Sequence, residues 1–325
     1  MSKQCQRVLV AGGAGFIGSH IVDRLLEAGI EVTVLDNLST GRIENLEQHK
    51  RNRNFHFIKG DIRNGEQVKA AVKNIDAVFN DAAVVSVRLS IDNPMLVNEV
   101  NVNGALNLLK ASADSDVKRF VQASSASVYG ELKTLPVTED TLSKPISPYA
   151  VSELAAESYA KVFHRVYGLE TVCLRYFNVY GPRQSFSPYT GAITIFINQL
   201  LNSQPITIFG DGEQTRDFVY VEDVASANML ALTRKEAVGE VFNIATGAAT
   251  SVNVLVRTLV RIVGRARTEP VHLEPKSGEI KHSRASIDKA KRILGYKPIF
   301  TIDNGLEQLV KWYTSKAPQS SQWKK

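Results

Sequence analysis

The stretch Gly12-Gly13-Ala14-Gly15-Phe16-Ile17-Gly18 follows directly on the apolar run Val8-Leu9-Val10. It can be read as G-x-G-x-x-G or, one residue earlier, as G-x-x-G-x-x-G. Glycines at these spacings permit a tight turn after a strand, a close approach of the backbone to a pyrophosphate, and close packing of the next helix on the sheet. The amides that open this helix then face the phosphate. The stretch therefore predicts a dinucleotide-binding turn.

The second predicted strand supports this interpretation. Residues 31–35, Glu-Val-Thr-Val-Leu, read as a strand and lead into Asp36, about 20 residues beyond the glycines, where such turns place a ribose-binding acid. A carboxylate there accepts hydrogen bonds from a free 2′-hydroxyl and repels a 2′-phosphate. Asp36 therefore favours NAD over NADP as the cofactor.

Strand and helix patterns alternate through the first half of the chain. Strand patterns occur at residues 7–10, 31–35, 55–58, 77–79, 120–123 and 171–174, and helical patterns at residues 17–28, 66–73, 94–113 and 148–166. Such alternation predicts parallel strands with right-handed crossovers, and hence an α/β fold with a doubly wound parallel sheet.

The alternation weakens after Asn178. We therefore expect a Rossmann domain over residues 1–177 and a smaller α/β lobe, mainly for substrate, over residues 178–325. A segment at about residues 217–246 is expected to return to the first domain. Helices are predicted at residues 221–233 and 252–263.

Composition narrows the function. The 325 residues carry 39 Lys and Arg against 33 Asp and Glu, a net charge of +6, and the basic residues are scattered. This pattern does not indicate nucleic-acid binding, and no apolar run reaches the length of about 18 residues that a membrane span needs. Cys5 and Cys173 provide neither a disulfide framework nor a metal-binding spacing. We expect no metal, no membrane partner and a cytoplasmic location, since the first seven residues also leave no room for a signal peptide before the first strand.

Tyr149 is the first candidate for chemistry. It follows Pro148 at the predicted start of a helix, and a tyrosine beside a nicotinamide acts as a general acid and base if its pKa is lowered. A lone tyrosine in a helix is more often a core residue. Here the hydroxyl-rich stretch at residues 124–130 and the polar end of the strand at residues 171–174 favour a functional role.

Together these motifs resemble the extended short-chain dehydrogenases/reductases, and most closely their UDP-glucose 4-epimerase group. The resemblance extends to about residue 314. Besides the glycine turn, it is carried by Gly60-Asp61-Ile62-Arg63, Asn101-Val102-Asn103-Gly104, Ser124-Ser125-Ala126-Ser127-Val128-Tyr129-Gly130, Ser147-Pro148-Tyr149-Ala150, and the stretches at residues 175–184 and 210–218.

The resemblance implies a tightly held NAD. Phe16 and Ile17 are expected to cover the pyrophosphate and Asp36 to hold the adenosine ribose. Asp61 and Ile62 are expected to contact the adenine. The rest of the cofactor site that we predict comprises Gly12, Gly15, Gly18, Asn37, Ser39, Thr40, Gly41, Ala82, Ala83, Asn101, Ser124, Tyr149 and Tyr176.

The resemblance also implies the reaction, which is 4-epimerisation of a UDP-hexose or a UDP-N-acetylhexosamine. Tyr149 is expected to take a proton from the sugar 4-hydroxyl while hydride moves to NAD, and the 4-keto sugar then turns over and receives hydride on its other face. Ser125 and Ser127 match hydroxyl-bearing positions beside that oxygen. The predicted substrate contacts are Ser86, Ser125, Tyr149, Asn178, Arg216, Lys276, Glu279 and Ser283. A homodimer is expected.

Glu153 is the main departure from this family, whose pattern is Tyr-x-x-x-Lys. Glu153 lies four positions after Tyr149, so both side chains lie on one helix face. A carboxylate there disfavours a neighbouring phenolate and raises the pKa of the tyrosine. Two alternatives therefore stay open: a catalytically silent member that binds NAD and a UDP-sugar, and another NAD-dependent nucleotide-sugar oxidoreductase.

Three further positions bear on the reaction and the substrate. Related dehydratases and decarboxylases carry acidic residues where this chain has Ala126 and Ser127, so simple oxidation and re-reduction fits better. This chain has Asn80-Asp81-Ala82-Ala83 where the resembling family more usually has His-apolar-Ala-Ala. Ser283 occupies the position that walls the pocket beside the sugar C2 group in the resembling epimerases, and a small residue there leaves space for an N-acetyl group.

Overall fold

The computed structural model describes residues 6–131, 134–185, 191–264, 270–275 and 281–315. Its centre is a seven-stranded sheet made of β1 (Arg7–Ala11), β2 (Glu31–Asp36), β3 (Phe55–Lys59), β4 (Ala77–Asn80), β5 (Arg119–Ser125), β6 (Glu170–Tyr176) and β11 (Val241–Ile244). The strand order is β11-β6-β5-β4-β1-β2-β3, and every neighbouring pair is parallel. The doubly wound parallel sheet predicted from the sequence is confirmed.

Some helices cover the two faces of this sheet, and others pack together in the second half of the chain. They are α1 (Phe16–Glu27), α2 (Gly65–Val72), α3 (Val87–Asp92), α4 (Pro94–Asn98), α5 (Ala105–Asp114), α6 (Pro148–Tyr167), α7 (Ala192–Leu201), α8 (Val221–Thr233), α9 (Val252–Val263) and α10 (Ile302–Ser315). The helix predicted at residues 94–113 is interrupted, because a π-helical segment, Glu99–Gly104, joins α4 to α5. Short 3-10 segments at Ile43–His49, Ala126–Tyr129 and Lys235–Ala237 and a π segment at Ala290–Leu294 complete the helical structure.

Alternate side chains of the strands build two buried layers. Val8 and Val10 of β1 lie in the layer that packs against α1 and α8, and Leu9 lies in the layer against α2, α5 and α6. Both layers are apolar, as expected for parallel strands that are buried on both faces. The layers hold the helices at fixed positions around the edge where the strands end.

A third apolar cluster organises most of the second half of the chain. It packs α7, α9 and α10 together around residues such as Phe196, Leu255 and Leu306. Three two-stranded sheets accompany it, pairing β7 (Asn178–Tyr180) with β10 (Phe218–Tyr220), β9 (Thr215–Arg216) with β12 (Thr250–Ser251), and β8 (Thr207–Phe209) with β13 (Val271–Leu273). In contrast, α8 packs against α1 and β11 pairs with β6. The domain boundary at residue 177 stays a prediction.

The carboxyl ends of the parallel strands bring polar side chains to one edge of the sheet. Asp36 ends β2, Asp81 follows β4, and Ser125 ends β5. In doubly wound sheets this is the edge where ligands bind. Among the described residues, no helix is long and apolar enough to cross a membrane.

Candidate active site

The turn between β1 and α1 is closed by contacts that leave no room for side chains. Gly12 has a φ of +77°, and a Cβ there would lie 2.7 Å from the amide nitrogen of Ala82. A Cβ on Gly18 would overlap the carbonyl oxygen of Gly12. The glycines therefore bring α1 and the segment after β4 into contact with the turn.

The start of α1 is suited to an anion. Gly15 is its N-cap and provides no side-chain hydrogen bond, and the first turn contains no acidic residue. The amides at a helix N-terminus and the positive end of its dipole favour a phosphate group. Phe16 and Ile17 follow at once and are half-buried. The turn thus fits the pyrophosphate of the predicted dinucleotide.

Asp36 connects this turn to β2. Its Oδ2 accepts a hydrogen bond from the amide of Ala14 at 3.0 Å, and its Oδ1 accepts one from the amide of Leu38 at 2.8 Å. Burial raises the pKa of Asp36, and these two bonds oppose the rise. The predicted ribose-binding acid therefore also holds the phosphate turn in place. The backbone at Gly41 approaches so closely that a Cβ would lie 2.9 Å from both carboxylate oxygens.

The predicted adenine-side residues form a second polar group. The Asp61 carboxylate accepts bonds from Arg63 at 2.7 and 3.0 Å and from Asn37 at 2.9 Å, and the Arg63 guanidinium holds its pKa well below the usual range. Ile62 is buried against Gly104. Ser39 and Thr40 are exposed beside Asn37.

Tyr149 lies in the first turn of α6, where Pro148 is the first residue and the Ser147 hydroxyl accepts a hydrogen bond from the Ala150 amide at 3.1 Å. Burial and the Glu153 charge raise the pKa of Tyr149, and Ser125 of β5, which lies near the phenol, opposes the rise. The structure therefore brings the predicted tyrosine and serine together. None of the groups that shift the pKa of Tyr149 is a cation.

Ser124 and Ser127, which lie on either side of Ser125 in the sequence, differ in their contacts. The Ser127 hydroxyl oxygen is buried and has no hydrogen-bond partner among the described residues, so it is available to a ligand. The Ser124 hydroxyl donates to Glu157 at 2.9 Å, because alternate residues of β5 face α6. Contact between Ser124 and the cofactor stays a prediction.

Asn101 connects three parts of the site. Its Oδ1 accepts a hydrogen bond from the Val84 amide at 2.8 Å, and its Nδ2 donates to Ser152 at 3.0 Å and to Glu153 at 3.3 Å. It lies in the π segment, and such segments frequently occur at functional sites. Asn101 thereby holds the segment after β4, which includes Ala82 and Ala83, against α6.

The predicted substrate residues are spread over a wider area. A pocket of about 520 Å³ is lined by Asn178 and Arg216 together with Phe209 and Phe218. Ser283 lies next to β9, the strand that contains Arg216, since its amide donates to the Thr215 carbonyl at 3.1 Å. The Ser86 hydroxyl accepts a bond from the Leu89 amide and so caps α3. Lys276 and Glu279 lie outside the described residues.

Comparison with known proteins identifies the family. The model of the NAD dependent epimerase/dehydratase family matches residues 8–245. The chain belongs to this family. Over 307 residues, which are 94% of this chain and 97% of the relative, it is 43% identical to a putative UDP-glucose 4-epimerase of Methanocaldococcus jannaschii.

Two solved structures share this fold closely. A UDP-N-acetylglucosamine 4-epimerase of Methanobrevibacter ruminantium, in complex with UDP-N-acetylmuramic acid, is 38% identical, with a TM-score of 0.92 over 96% of this chain and 99% of its own. The UDP-glucose 4-epimerase of Thermus thermophilus, in complex with NAD, is 37% identical, with a TM-score of 0.86 over 96% of this chain and 100% of its own.

Glu153 and Asp81 place two carboxyl groups in this site, of which Glu153 is buried and Asp81 is half-buried. Glu153 is 6% exposed. Burial raises its pKa to about 8, and the negative charges of Glu157 and Asp81 add to the rise. Burial also raises the pKa of Asp81 to about 7. In the described part of the chain, neither carboxyl forms an ion pair.

Glu157 and Arg175 were missed by the sequence analysis. Arg175 Nε and Nη2 donate to the two Glu157 oxygens at 2.8 and 2.7 Å, and both side chains are buried. Glu157 lies eight residues after Tyr149, on the same face of α6, and this spacing was the available signal. Tyr176 of β6 is also buried, with its hydroxyl 3.0 Å from Asn228 Oδ1.

The buried Glu153 predicts a pH-dependent cost in stability. Because its pKa in the folded protein is raised above the ordinary value of 4.5, the folded state binds more protons, and stability falls as pH rises from about 4.5 to about 8. Glu153→Gln keeps the oxygen that faces Asn101 and removes the charge. We expect it to raise the free energy of unfolding by on the order of 2 kcal/mol at pH 8.5 and by little at pH 5.

Urea denaturation of the cofactor-free protein at both pH values measures this difference. Glu236→Gln, at an exposed position, is the matched control and should change stability at neither pH. Equal effects of Glu153→Gln at pH 5 and pH 8.5 would contradict the assignment of a buried, titrating carboxyl.

Proposed function

We propose that this protein uses NAD to interconvert UDP-linked hexoses or N-acetylhexosamines at C4. The observation that carries the proposal is the position of Tyr149, next to Ser125 at the strand edge that also holds the glycine turn. When bound, NAD accepts a hydride from the sugar carbon and returns it. The geometry of the glycine turn and of Asp36 supports this cofactor, as does membership of the family.

The protein side chains have separate roles in this proposal. Tyr149 removes the proton of the sugar hydroxyl and later returns it. Ser125 lies near the phenol and opposes the rise in its pKa, and the Ser127 hydroxyl, which has no partner among the described residues, supplies a bond to the same sugar oxygen. Arg216, in the pocket with Asn178, supplies a positive charge for the diphosphate.

Glu153 supports a second candidate function, which is a silent protein that binds NAD and a UDP-sugar. Burial and the Glu153 charge both raise the pKa of Tyr149, which opposes formation of the phenolate that general-base catalysis needs. We favour slow or pH-limited epimerisation over silence, because Ser125 near the phenol acts to lower its pKa and, within the described part of the chain, Ser127 offers a free hydroxyl.

Substitution at residues 149 and 153 tests the proposal. Incubation of the purified protein with NAD and each of four substrates, UDP-glucose, UDP-galactose and their N-acetyl counterparts, should yield the 4-epimer on ion-exchange chromatography. Tyr149→Phe should reduce turnover at least about 10²-fold. Glu153→Lys should raise it about 10²–10⁴-fold, since it places a cation beside the phenol.

Val151→Lys is the control for the added charge, because residue 151 lies on the same helix and is exposed. It should leave turnover unchanged. If Glu153→Lys does not raise the rate, the assigned role of residue 153 is wrong. If NAD and UDP-sugars bind but no variant forms an epimer, the protein is a silent binder.

We further propose that the site admits an N-acetyl group at C2. Ser283 is small and lies beside the strand that carries Arg216. The Methanobrevibacter ruminantium relative is named a UDP-N-acetylglucosamine 4-epimerase, which supports a pocket of this width in the fold.

Calorimetric titration with Ser283→Tyr tests the width of the pocket. The wild type should bind UDP-N-acetylglucosamine at least as tightly as UDP-glucose. Ser283→Tyr should weaken binding of the N-acetyl sugar at least about tenfold by steric exclusion and should spare UDP-glucose. Lys281→Tyr, at an exposed neighbouring position, should affect neither. Equal loss of both sugars in Ser283→Tyr would contradict the assignment.

A homodimer is also proposed. Apolar side chains at residues 159, 162 and 166 are exposed along one face of α6, and Ile91 and Met95, on the neighbouring α3 and α4, are exposed as well. Exposed apolar side chains gathered on neighbouring helices are typical of protein interfaces. A second copy of the chain is the proposed occupant.

A cytoplasmic location stays a proposal as well, supported by the free, buried Cys173.

Sedimentation velocity tests the dimer. The wild type should sediment as a dimer, and Val166→Glu should sediment as a monomer because a charge would be buried in the interface. Ile299→Glu is the matched control, since Ile299 is 71% exposed and Val166 is 67% exposed, and it should remain dimeric. A monomeric wild type, or dissociation by both substitutions, would refute this surface.

A further inference from the structure

The carboxyl groups at the strand edge outnumber the cations that neutralise them. Glu153 and Glu157 lie one turn apart on α6, and Asp81 follows β4. Arg175 directs both of its forked bonds to Glu157. In the described ranges, no Lys, Arg or His pairs with Glu153 or with Asp81.

Backbone contacts and charge interactions place these two carboxyl groups at the cofactor site. The backbone of Asp81 and Ala82 packs against the glycine turn, since a Cβ on Gly12 would lie 2.8 Å from the Asp81 carbonyl carbon. Glu153 acts electrostatically on Tyr149, and Asp81 acts on Glu153. Both acids act on Tyr176 as well. One environment therefore contains the dinucleotide turn, the tyrosine and the two acids.

The two redox forms of the cofactor respond differently to such an environment. The nicotinamide ring is positively charged in NAD+ and neutral in NADH. Negative charges in a partly buried site attract a nearby cation much more strongly than they do in water. A lysine at residue 153 would have the opposite effect on the ring.

We propose that Glu153 and Asp81 make this site bind NAD+ in preference to NADH. The inference rests on the proposed function, because it presumes that the nicotinamide lies beside Tyr149. The adenosine half is identical in NAD+ and NADH, so its binding alone cannot distinguish the two forms. A bound cofactor would then stay oxidised between turnovers, and hydride transfer from the sugar to it would be disfavoured.

The preference should increase with pH, because both carboxyl groups ionise over the range in which their raised pKa values lie, about 7 for Asp81 and about 8 for Glu153. The groups that bond to Glu153 or interact with its charge are Tyr149 and Glu157 of α6, Asn101 of the π segment, Asp81 after β4 and Tyr176 of β6. The nearby cation, Arg175 of β6, is paired with Glu157.

Titration of the full, cofactor-free chain with NAD+, NADH and ADP-ribose tests the inference. Calorimetry at pH 6 and pH 9 provides the three dissociation constants. At pH 9 we expect NAD+ to bind at least about tenfold more tightly than NADH, which corresponds to about 1.4 kcal/mol, and at pH 6 we expect a smaller ratio. ADP-ribose lacks the nicotinamide and reports only on the rest of the site.

Substitutions at residues 153 and 81 separate charge from structure. Glu153→Gln should lower the NAD+ preference, and Glu153→Lys should reverse it, while the dissociation constant of ADP-ribose stays within about twofold. Asp81→Asn provides a second test of the charge should a Glu153 variant fail to fold. Glu236→Gln, at an exposed position away from the strand edge, should leave all three constants unchanged.

The outcomes distinguish this inference from the proposed function. Equal affinity for NAD+ and NADH at pH 9 overturns the inference but leaves an NAD site in place. A Glu153→Gln variant that weakens ADP-ribose as much as NAD+ also overturns it, because the residue then acts through structure. Failure of the wild type to bind any of the three ligands contradicts the proposed function itself.

Discussion

Close contact between the turn after β1 and its neighbours is the constraint on which the site depends. Gly12 touches the segment after β4, Gly18 touches Gly12, and Asp36 holds the amide of Ala14. Side chains at these glycines would separate α1 from the sheet and move the helix N-terminus away from the phosphate position. The contact between Gly12 and the segment after β4 also places the backbone of Asp81 against the turn. A backbone requirement for binding the cofactor therefore also fixes where a carboxyl group must lie.

The first half of α6 then determines the electrostatics. Its face bears a tyrosine, a carboxyl without a cation and a carboxyl with one, spaced four residues apart at Tyr149, Glu153 and Glu157. The Glu157–Arg175 pair is buried and hydrogen-bonded, so it joins α6 to β5 and β6, and the pairing offsets the desolvation of both charges. Within the described residues, Glu153 has only the Asn101 amide. Buried groups that lower stability without packing well are frequently functional, and this is the physical reason to regard Glu153 as part of the chemistry.

The sequence was sufficient for the fold because its signals are local. The glycine spacing and the alternation of strand and helix patterns depend on neighbouring residues, and they predicted six of the seven strands of the sheet. The π segment around Asn101 was not predictable in this way, and Asn101 bonds to Val84 and α6, which are distant in the sequence. The two-stranded pairings, such as β8 with β13, involve two or three residues and arise from tertiary packing. Glu153 was visible in the sequence, but its burial and the direction of Arg175 towards Glu157 were not.

The central claim is that Glu153 is a buried carboxyl beside Tyr149 with no cation to balance it among the described residues. Carbon-13 NMR of protein labelled at the glutamate carboxyl carbons, with the Glu153 signal assigned from Glu153→Gln, measures its titration directly. The structure predicts a pKa well above the ordinary value of 4.5, at about 8. A pKa at or below 4.5 would show that the carboxyl is solvated or paired with a cation, and it would contradict this account of the site.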